Sequence, residues 1–265
     1  MSALLTGTLG APAQAIYRRA LLALSEAGVP FLLGGAYAFA RYTGIVRHTK
    51  DLDLFLREAD VPRARPLLEA AGFRTELTYS HWLAKAFHDD HFVDLIFNLG
   101  NGIGPVEDDW FDHAADGELL DMPVRILGPE DMIFSKMYTM DRGRFDGADV
   151  AHLIQACGDR LDWRQLLGRF DTNWRIPLCH LVLFGFVYPS EKDCVPQWVM
   201  TELLDRLQSE NGDASEPICR GTLLSPTQYL IDVQRWGYHD ARLAPFGPLT
   251  PEQVKQWTEG VIEGR

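Results

Sequence analysis

In the first half of the chain, short apolar runs alternate with segments whose apolar side chains recur at helical spacing. Ile16, Ala20 and Leu24 share one face of a first predicted helix, and Gly28 stands where that helix would stop. The next apolar run ends at a pair of glycines, which favour a turn. The pattern therefore predicts alternating helices and strands, in the order helix 12–28, strand 29–33, helix 36–42, strand 51–56 and helix 60–72.

Beyond these elements the pattern changes to consecutive strands. The polar sequence His88-Asp89-Asp90 is typical of a hairpin turn between two of them. Because hairpin strands then join strands that alternate with helices, the sheet is expected to be mixed. The strands are predicted over 73–79, 82–87, 91–97 and 119–126.

After residue 127 the apolar spacing is helical, and no strand is predicted beyond Leu161. The polar segment 209–217 is predicted to be a mobile loop. The fold class is therefore α+β, with a mixed sheet flanked by helices in a domain of residues 1–127 and an all-helical domain of residues 128–265. The first helix of the second domain is predicted to start at 128–131. Further helices are predicted over 146–157, 162–170, 173–187, 195–209, 225–236 and 250–262.

Composition and charge narrow the possible functions. Of 265 residues, 46% are hydrophobic and 23% are charged, as is ordinary for a soluble globular protein. No apolar stretch reaches the ~20 residues that span a bilayer, and residues 1–15 lack the pattern of a secretory signal, so a cytoplasmic protein without membrane contact is expected. The formal charge of −12 disfavours long nucleic acids without excluding tRNA, because phosphate binding needs clustered Lys and Arg.

The sulfur and imidazole side chains do not form a zinc motif. The cysteines lie far apart without a Cys-x-x-Cys pair, which fits reduced thiols. The histidines around the acidic strand lack the spacing of a transition-metal site, and they are interpreted as loop and hairpin residues. The side chains concerned are Cys157, Cys179, Cys194, Cys219, His48, His81, His88 and His91.

The most informative segment is the strand that contains Asp51 and Asp53. Side chains two positions apart project from the same face of a strand, so both carboxylates point to one place while the leucines beside them enter the core. The preceding strand ends at Gly34-Gly35, and fifteen residues separate this pair from Asp51. Carboxylates on a rigid strand bind Mg²⁺, which also binds nucleotide phosphates, so the arrangement indicates metal-assisted phosphoryl or nucleotidyl transfer.

Residues 29–97 resemble the nucleotidyltransferase superfamily of DNA polymerase β, and in particular its small bacterial members. The matching parts are an apolar strand, a pair of glycines, a short helix, the strand with Asp51 and Asp53, and a third carboxylate, Asp94, on a later strand. The interval between the glycines and Asp51 is slightly longer than is usual in the family, so the intervening helix or loop is expected to be extended. The resemblance implies a nucleotidyltransferase-like catalytic domain, followed by the helical domain.

The resemblance also implies roles for individual residues. Asp51, Asp53 and Asp94 would be the catalytic and metal-binding carboxylates, with one or two Mg²⁺ ions that Mn²⁺ could replace. Asp94 would either complete a second metal site or accept the proton of the acceptor hydroxyl. The glycines and the first N–H groups of the next helix would face the phosphates of an NTP. The predicted nucleotide-binding residues are Gly34, Gly35, Ala36, Arg47, Lys50 and Lys136.

The basic residues each have an alternative interpretation. Lys136 lies on an apolar helix face, where an unpaired ammonium would be costly. It would contact the triphosphate, as the resemblance implies, or form a structural salt bridge with Asp146 or Asp149. Arg47 and Lys50 would otherwise be surface charges.

The implied function is transfer of a nucleoside monophosphate from an NTP to a hydroxyl of a small-molecule acceptor, with Mg²⁺ as cofactor and release of pyrophosphate. Trp82 and Trp110 lie near the sheet in sequence and are candidates for stacking on a nucleobase or acceptor. Two alternatives remain open: a toxin-like nucleotidyltransferase that acts on tRNA or protein, and a nucleotide-binding protein without turnover.

Overall fold

The computed structural model describes residues 10–47, 49–210 and 216–263. His48 and the centre of the predicted loop 209–217 lie outside the described residues. A mixed sheet with helices packed against it is followed by a mainly helical region. The α+β fold class predicted from the sequence is therefore confirmed.

Strands and helices alternate in the first part of the chain, as the apolar pattern predicts. The strands are β1 (Leu32–Leu33), β2 (Asp51–Phe55), β3 (Arg74–Tyr79), β4 (Leu83–His88), β5 (His91–Ile96), β6 (Ala115–Leu119), β7 (Met122–Ile126), β8 (Ile218–Cys219) and β9 (His239–Asp240). The helices are α1 (Ala11–Glu26), α2 (Gly35–Thr43), α3 (Val61–Ala70), α4 (Asp108–Asp112), α5 (Pro129–Met137), α6 (Gly147–Cys157), α7 (Trp163–Gly168), α8 (Arg175–Val187), α9 (Gln197–Ser209), α10 (Leu230–Arg235) and α11 (Pro251–Glu263). None of these helices is both long enough and apolar enough to cross a bilayer.

The seven-stranded sheet has the order β3-β4-β5-β2-β1-β7-β6. Strand β2 runs parallel to β5 and antiparallel to β1, so the sheet is mixed. Along β2, Leu52 and Leu54 are buried, whereas Asp51 and Asp53 are half-buried on the opposite face. The strand that carries both aspartates therefore lies in the middle of the sheet, between β5 and β1.

The predicted strand 119–126 is instead a hairpin. Strands β6 and β7 pair antiparallel, with Leu119 opposite Met122. Between them, Leu120 and Asp121 have φ angles of +54° and +60°, the left-handed conformation of a tight two-residue turn. The sequence pattern missed β6 because this edge strand has a polar centre and shows no apolar alternation.

The prediction of an all-helical second domain needs a correction. Strands β8 and β9 form a short parallel sheet, in which Ile218 pairs with His239 and Cys219 with Asp240. The predicted helix 225–236 is reduced to α10. Strands of two residues are too short to give a periodic signal, so the sequence could not indicate them.

Helix α11 packs against the first part of the chain. The Gln256 side-chain amide donates to the Thr78 carbonyl at 3.0 Å. The buried Arg242 side chain pairs with Asp240 at 2.7 Å and donates to the Thr258 hydroxyl at 3.3 Å, which ties α11 to the segment before it. A domain boundary after residue 127 remains a prediction, and α11 lies against residues on its other side.

Candidate active site

Three carboxylates meet on one face of the sheet. Because β2 and β5 are parallel neighbours, Asp53 lies directly beside Asp94, and Asp51 is two positions earlier on the same face. One oxygen of each side chain lies within 4.8 Å of the others. The structure thus brings together the three residues that the sequence proposed as metal ligands, here called the acidic cluster.

The two glycines bring the backbone of β1 and α2 close to the acidic cluster. The Gly34 N–H donates to the Asp53 carbonyl at 2.9 Å. Gly35 has a φ of +53°, and a Cβ at this position would collide with the Asp53 carboxylate. Helix α2 begins at Gly35, so its first backbone N–H groups, which lack intrahelical partners, start beside the cluster.

The acidic cluster is short of positive charge. Burial raises the pKa of Asp53 to about 7, and the charges of Asp51 and Asp94 act in the same direction. Burial also raises the pKa of Asp94, although the charge of Lys85 opposes this change. The Lys85 Nζ lies 2.7 Å from Asp94 Oδ1. A further cation at the cluster would relieve the repulsion among the three carboxylates.

The donor set suits a hard divalent cation. All three side chains offer carboxylate oxygens, which Mg²⁺ and Mn²⁺ prefer over nitrogen or sulfur. Each of the three also faces a cavity, which leaves space for water and phosphate oxygens around such an ion. Asp51, Asp53 and Asp94 therefore fit the metal that the resemblance implies.

The acidic cluster forms one wall of a cleft with a volume of about 630 Å³, a size typical of small-ligand sites. The sheet supplies this wall. The facing walls come from the second half of the chain and include Lys136, Arg144, Asp146, Leu224, Trp257 and Val261. The cleft therefore lies between the sheet and the mainly helical region.

A second set of charges lies where α5 and α6 meet. The Lys136 Nζ is 3.0 Å from Asp146 and 2.7 Å from Asp149. Arg47 pairs with Asp149 at 2.6 Å, and Arg144 pairs with Asp146 at 2.9 Å. These five residues are here called the paired group. The structure contains the salt bridges that the sequence offered as the alternative for Lys136, and its contact with a triphosphate remains a prediction.

The paired group compensates its own charge. Burial alone would raise the pKa of Asp146, but the hydrogen bond from Arg144 and the charge of Lys136 hold it below its usual value. Burial acts in the same way on Asp149, and hydrogen bonds from Arg47 and Lys136 lower its pKa. These carboxylates therefore stay ionised without an external cation.

The predicted nucleotide-binding residues are only partly gathered at the cleft. Gly35 and Lys136 line the cavity. Ala36 is half-buried in the first turn of α2. Lys50 is exposed, and the Arg47 guanidinium lies over the Phe39 ring at 4.6 Å, outside the cavity lining. A role in nucleotide binding stays a prediction for each of them.

The two tryptophans proposed for stacking differ in position. Trp82 lines the cavity, and its ring stacks on Tyr79 with centroids 5.3 Å apart. The proposal for Trp110 is wrong, because this side chain is 1% exposed and stacks on Phe55 in the core at 5.9 Å. Sequence reasoning missed Trp257 of α11, which lines the cleft through long-range folding that no local motif indicates.

A second cavity, of about 570 Å³, adjoins the cleft. Tyr138, Leu223 and Leu224 line both cavities. Ile176 is part of the apolar lining of the second cavity, and Arg220 in its wall donates to a neutral partner, the Asn173 side chain, at 3.0 Å. The cleft therefore continues into an apolar space within the helical region.

The mixed sheet, its helices and the carboxylates of two neighbouring strands agree with the nucleotidyltransferase fold that the sequence predicts. A model of the family described as "uncharacterised nucleotidyltransferase" matches residues 11–182. This match covers more than half of the chain, so the protein belongs to that family of nucleotidyltransferases. No curated protein matches the sequence.

Several solved structures are similar to the chain at low identity. The antibiotic-resistance factor ANT(2'')-Ia in solution is 16% identical, with a TM-score of 0.48, and the alignment covers 65% of this chain and 98% of that chain. The lincomycin-bound lincosamide antibiotic adenylyltransferase LnuA is 18% identical, with a TM-score of 0.39 and coverages of 53% and 94%. JHP933 from Helicobacter pylori is 15% identical, with a TM-score of 0.38 and coverages of 76% and 97%. These similarities are too remote to indicate a substrate or an acceptor.

Proposed function

We propose that the protein transfers the nucleoside monophosphate of an NTP to a hydroxyl of a small-molecule acceptor, with Mg²⁺ as cofactor and release of pyrophosphate. The convergence of Asp51, Asp53 and Asp94 within 4.8 Å, at the wall of the cleft, is the observation that carries the proposal. Membership of a nucleotidyltransferase family supports the same reaction type.

In this reaction the acceptor oxygen attacks the α-phosphorus, the bond from the α-phosphorus to the bridging oxygen breaks, and pyrophosphate leaves. Bound Mg²⁺ would neutralise the charge that develops on the phosphate oxygens. Asp51 and Asp53 would hold the ion, and the backbone N–H groups at the start of α2 would face the phosphates. Asp94 either completes a second metal site or accepts the acceptor proton, which otherwise passes to solvent.

The charges of the cleft favour a small acceptor over a polyanion such as tRNA. Among the described residues that line the cleft, Lys136 and Arg144 are the cationic ones, and both already pair with Asp146. A long nucleic acid needs many unpaired Lys and Arg along its path. Because the second cavity adjoins the cleft beyond Tyr138 and Leu224, we propose that it holds the distal part of such a small acceptor.

The test is incubation with Mg²⁺, each of the four NTPs and a panel of hydroxyl acceptors, followed by measurement of pyrophosphate and of labelled product. Wild type should release pyrophosphate with at least one acceptor, whereas Asp53→Asn should not. If no combination releases pyrophosphate and both proteins behave alike, the proposed reaction is wrong.

Once an acceptor is found, Ile176→Trp tests where it binds. The larger side chain would fill part of the second cavity, so KM for the acceptor should rise about tenfold while KM for the NTP stays within about twofold. An equal rise in both values would place the acceptor elsewhere.

A further inference from the structure

A row of charged side chains crosses four strands on the face that carries the acidic cluster. Glu76 of β3 lies opposite Lys85 of β4, Lys85 lies opposite Asp94 of β5, and Asp94 lies beside Asp53 of β2. Lys85 therefore lies between Glu76 and Asp94 in the register of the sheet, and its ammonium contacts the acidic cluster at Asp94. Directly opposed side chains in a sheet are close enough to interact.

Lys85 pairs with Asp94. Its Nζ is 2.7 Å from Asp94 Oδ1, and the two side chains are 21% and 12% exposed. The Phe92 ring lies below the ammonium at 4.3 Å from its centroid. On the other side of the row, Glu76 pairs with Arg74 at 3.2 Å. Glu76 therefore has a different partner, and Lys85 pairs with Asp94. The Lys85 side chain is held by this ion pair and by packing against the Phe92 ring.

Lys85 stands behind Asp94 as seen from the cleft. Asp94 lines the cavity, whereas Lys85 is not among the residues that line it. The Lys85 ammonium donates to Asp94 Oδ1. We therefore expect Lys85 to act on the reaction through Asp94 rather than by touching the nucleotide or the acceptor.

We propose that Lys85 is a positioning residue, which orients Asp94 and limits the negative charge of the acidic cluster so that the cluster binds the triphosphate with its metal rather than metal alone. This inference rests on the proposed metal-binding role of the cluster. Once a bound cation has displaced the Asp53 proton, the three carboxylates and the Lys85 ammonium carry a net charge of −2, which one divalent ion balances. Without the lysine, the charge of −3 favours bare cations and disfavours the anionic triphosphate.

The experiment measures Mn²⁺ binding by electron paramagnetic resonance of the free ion, without nucleotide, in wild type, Lys85→Met, Lys85→Arg and Glu76→Gln. In Lys85→Met, Mn²⁺ should bind about tenfold more tightly than in wild type, because a positive charge next to the site is lost. Lys85→Arg keeps the charge and should stay within about threefold of wild type. Glu76→Gln changes a charge on the far side of the lysine and should leave Mn²⁺ binding unchanged.

The affinity for the NTP is the second quantity to measure. In Lys85→Met, the affinity for the NTP with Mg²⁺, measured by calorimetry, should fall about tenfold while Mn²⁺ binding tightens. A merely structural role would weaken both, so opposite changes are the signature of positioning. Unchanged or weaker Mn²⁺ binding in Lys85→Met with a wild-type circular dichroism spectrum would overturn the proposal.

Lys85→Gln serves as a second variant if Lys85→Met does not fold, since it keeps a hydrogen bond to Asp94 without the charge. Tighter Mn²⁺ binding is expected here too, and unchanged binding would count against the proposal. None of these measurements needs turnover. A failure to find pyrophosphate release would therefore refute the proposed reaction. The role of Lys85 would still be tested by the Mn²⁺ affinities of wild type and the Lys85 variants.

Discussion

Two sets of carboxylates, one lining the cleft and one reaching it only at Asp146, differ in how their charge is balanced. In the acidic cluster, three carboxylates share one lysine. In the paired group, two carboxylates share three cations. The pKa of Asp53 is accordingly raised by burial and like charges, whereas basic partners outweigh burial and lower the pKa values of Asp146 and Asp149. A carboxylate set without enough protein cations is suited to an external ion, and a fully paired set is suited to holding the fold.

The largest expected difference in activity is between a variant that loses a carboxylate of the acidic cluster and one that loses a carboxylate of the paired group. Asp53→Asn should reduce pyrophosphate release about a thousandfold, because a ligand of the proposed catalytic metal is lost. Asp149→Asn should reduce it less than about tenfold. Rates measured under saturating NTP and Mg²⁺ give the comparison, and equal losses in both variants would remove the distinction between the two sets.

The next effect concerns the backbone beside the acidic cluster. In Gly35→Ala, a Cβ would strike the Asp53 carboxylate, and φ is +53°. The unfolding free energy should fall by about 3 kcal/mol, and activity about a hundredfold.

Gly44→Ala is the matched control for this change. Gly44 also has a positive φ, of +73°, but nothing lies within 4 Å of the added Cβ. It should cost about 1 kcal/mol, from backbone strain alone, and keep its activity. Similar urea midpoints and rates in the two alanine variants would contradict the close approach at Gly35.

A smaller effect is expected in the paired group. Lys136→Met removes the ammonium that Asp146 and Asp149 share, so the unfolding free energy should fall by about 2 kcal/mol. Arg206→Met breaks an exposed pair with Glu202 and should cost less than about 0.5 kcal/mol. Urea denaturation of both variants measures the difference, and an undiminished midpoint in Lys136→Met would show that the ion pairs do not hold the fold.

The smallest effect is a pH dependence of the metal-free protein. The pKa of Asp53 is about 7 in the folded protein against 3.8 for the free side chain, so the folded state binds this proton more tightly. Its stabilising contribution is complete below about pH 4 and is lost as the pH rises through about 7. In EDTA, wild type should lose about 1 to 2 kcal/mol relative to Asp53→Asn between pH 6 and pH 8.

Mg²⁺ and an exposed carboxylate provide the controls for this titration. Addition of Mg²⁺ should reduce the loss in wild type and leave Asp53→Asn unchanged, because a bound ion stabilises the folded state. Asp116→Asn changes an aspartate whose side chain is 98% exposed and should follow wild type. Parallel pH curves for wild type and Asp53→Asn would refute the raised pKa.

Much of the acidic cluster could be predicted because it depends on local pattern. The alternation in β2 places Asp51 and Asp53 on one face, and a short apolar strand places Asp94 nearby. The Lys85 partner could also have been found. The hairpin turn at Asp89 and Asp90 sets His88 opposite His91. Three residues further from the turn on each strand, the same register places Lys85 opposite Asp94.

The other walls of the cleft could not be predicted, because they depend on chain segments that are distant in sequence. Trp257 reaches the cleft through the packing of α11, and nothing in its local sequence separates it from an ordinary amphipathic helix residue. Trp110 shows the reverse error. It is near the sheet in sequence, yet its ring fills the core against Phe55 and Phe134.

The position of α11 also has a consequence for biosynthesis. The hydrogen bond from Gln256 to Thr78 joins residues 178 positions apart, so the aromatic end of the cleft is translated well after the strands that it packs against. The strands with the carboxylates emerge much earlier, and amino-terminal segments generally fold first. The three carboxylates proposed as metal ligands can therefore come together before the aromatic wall of the cleft is in place.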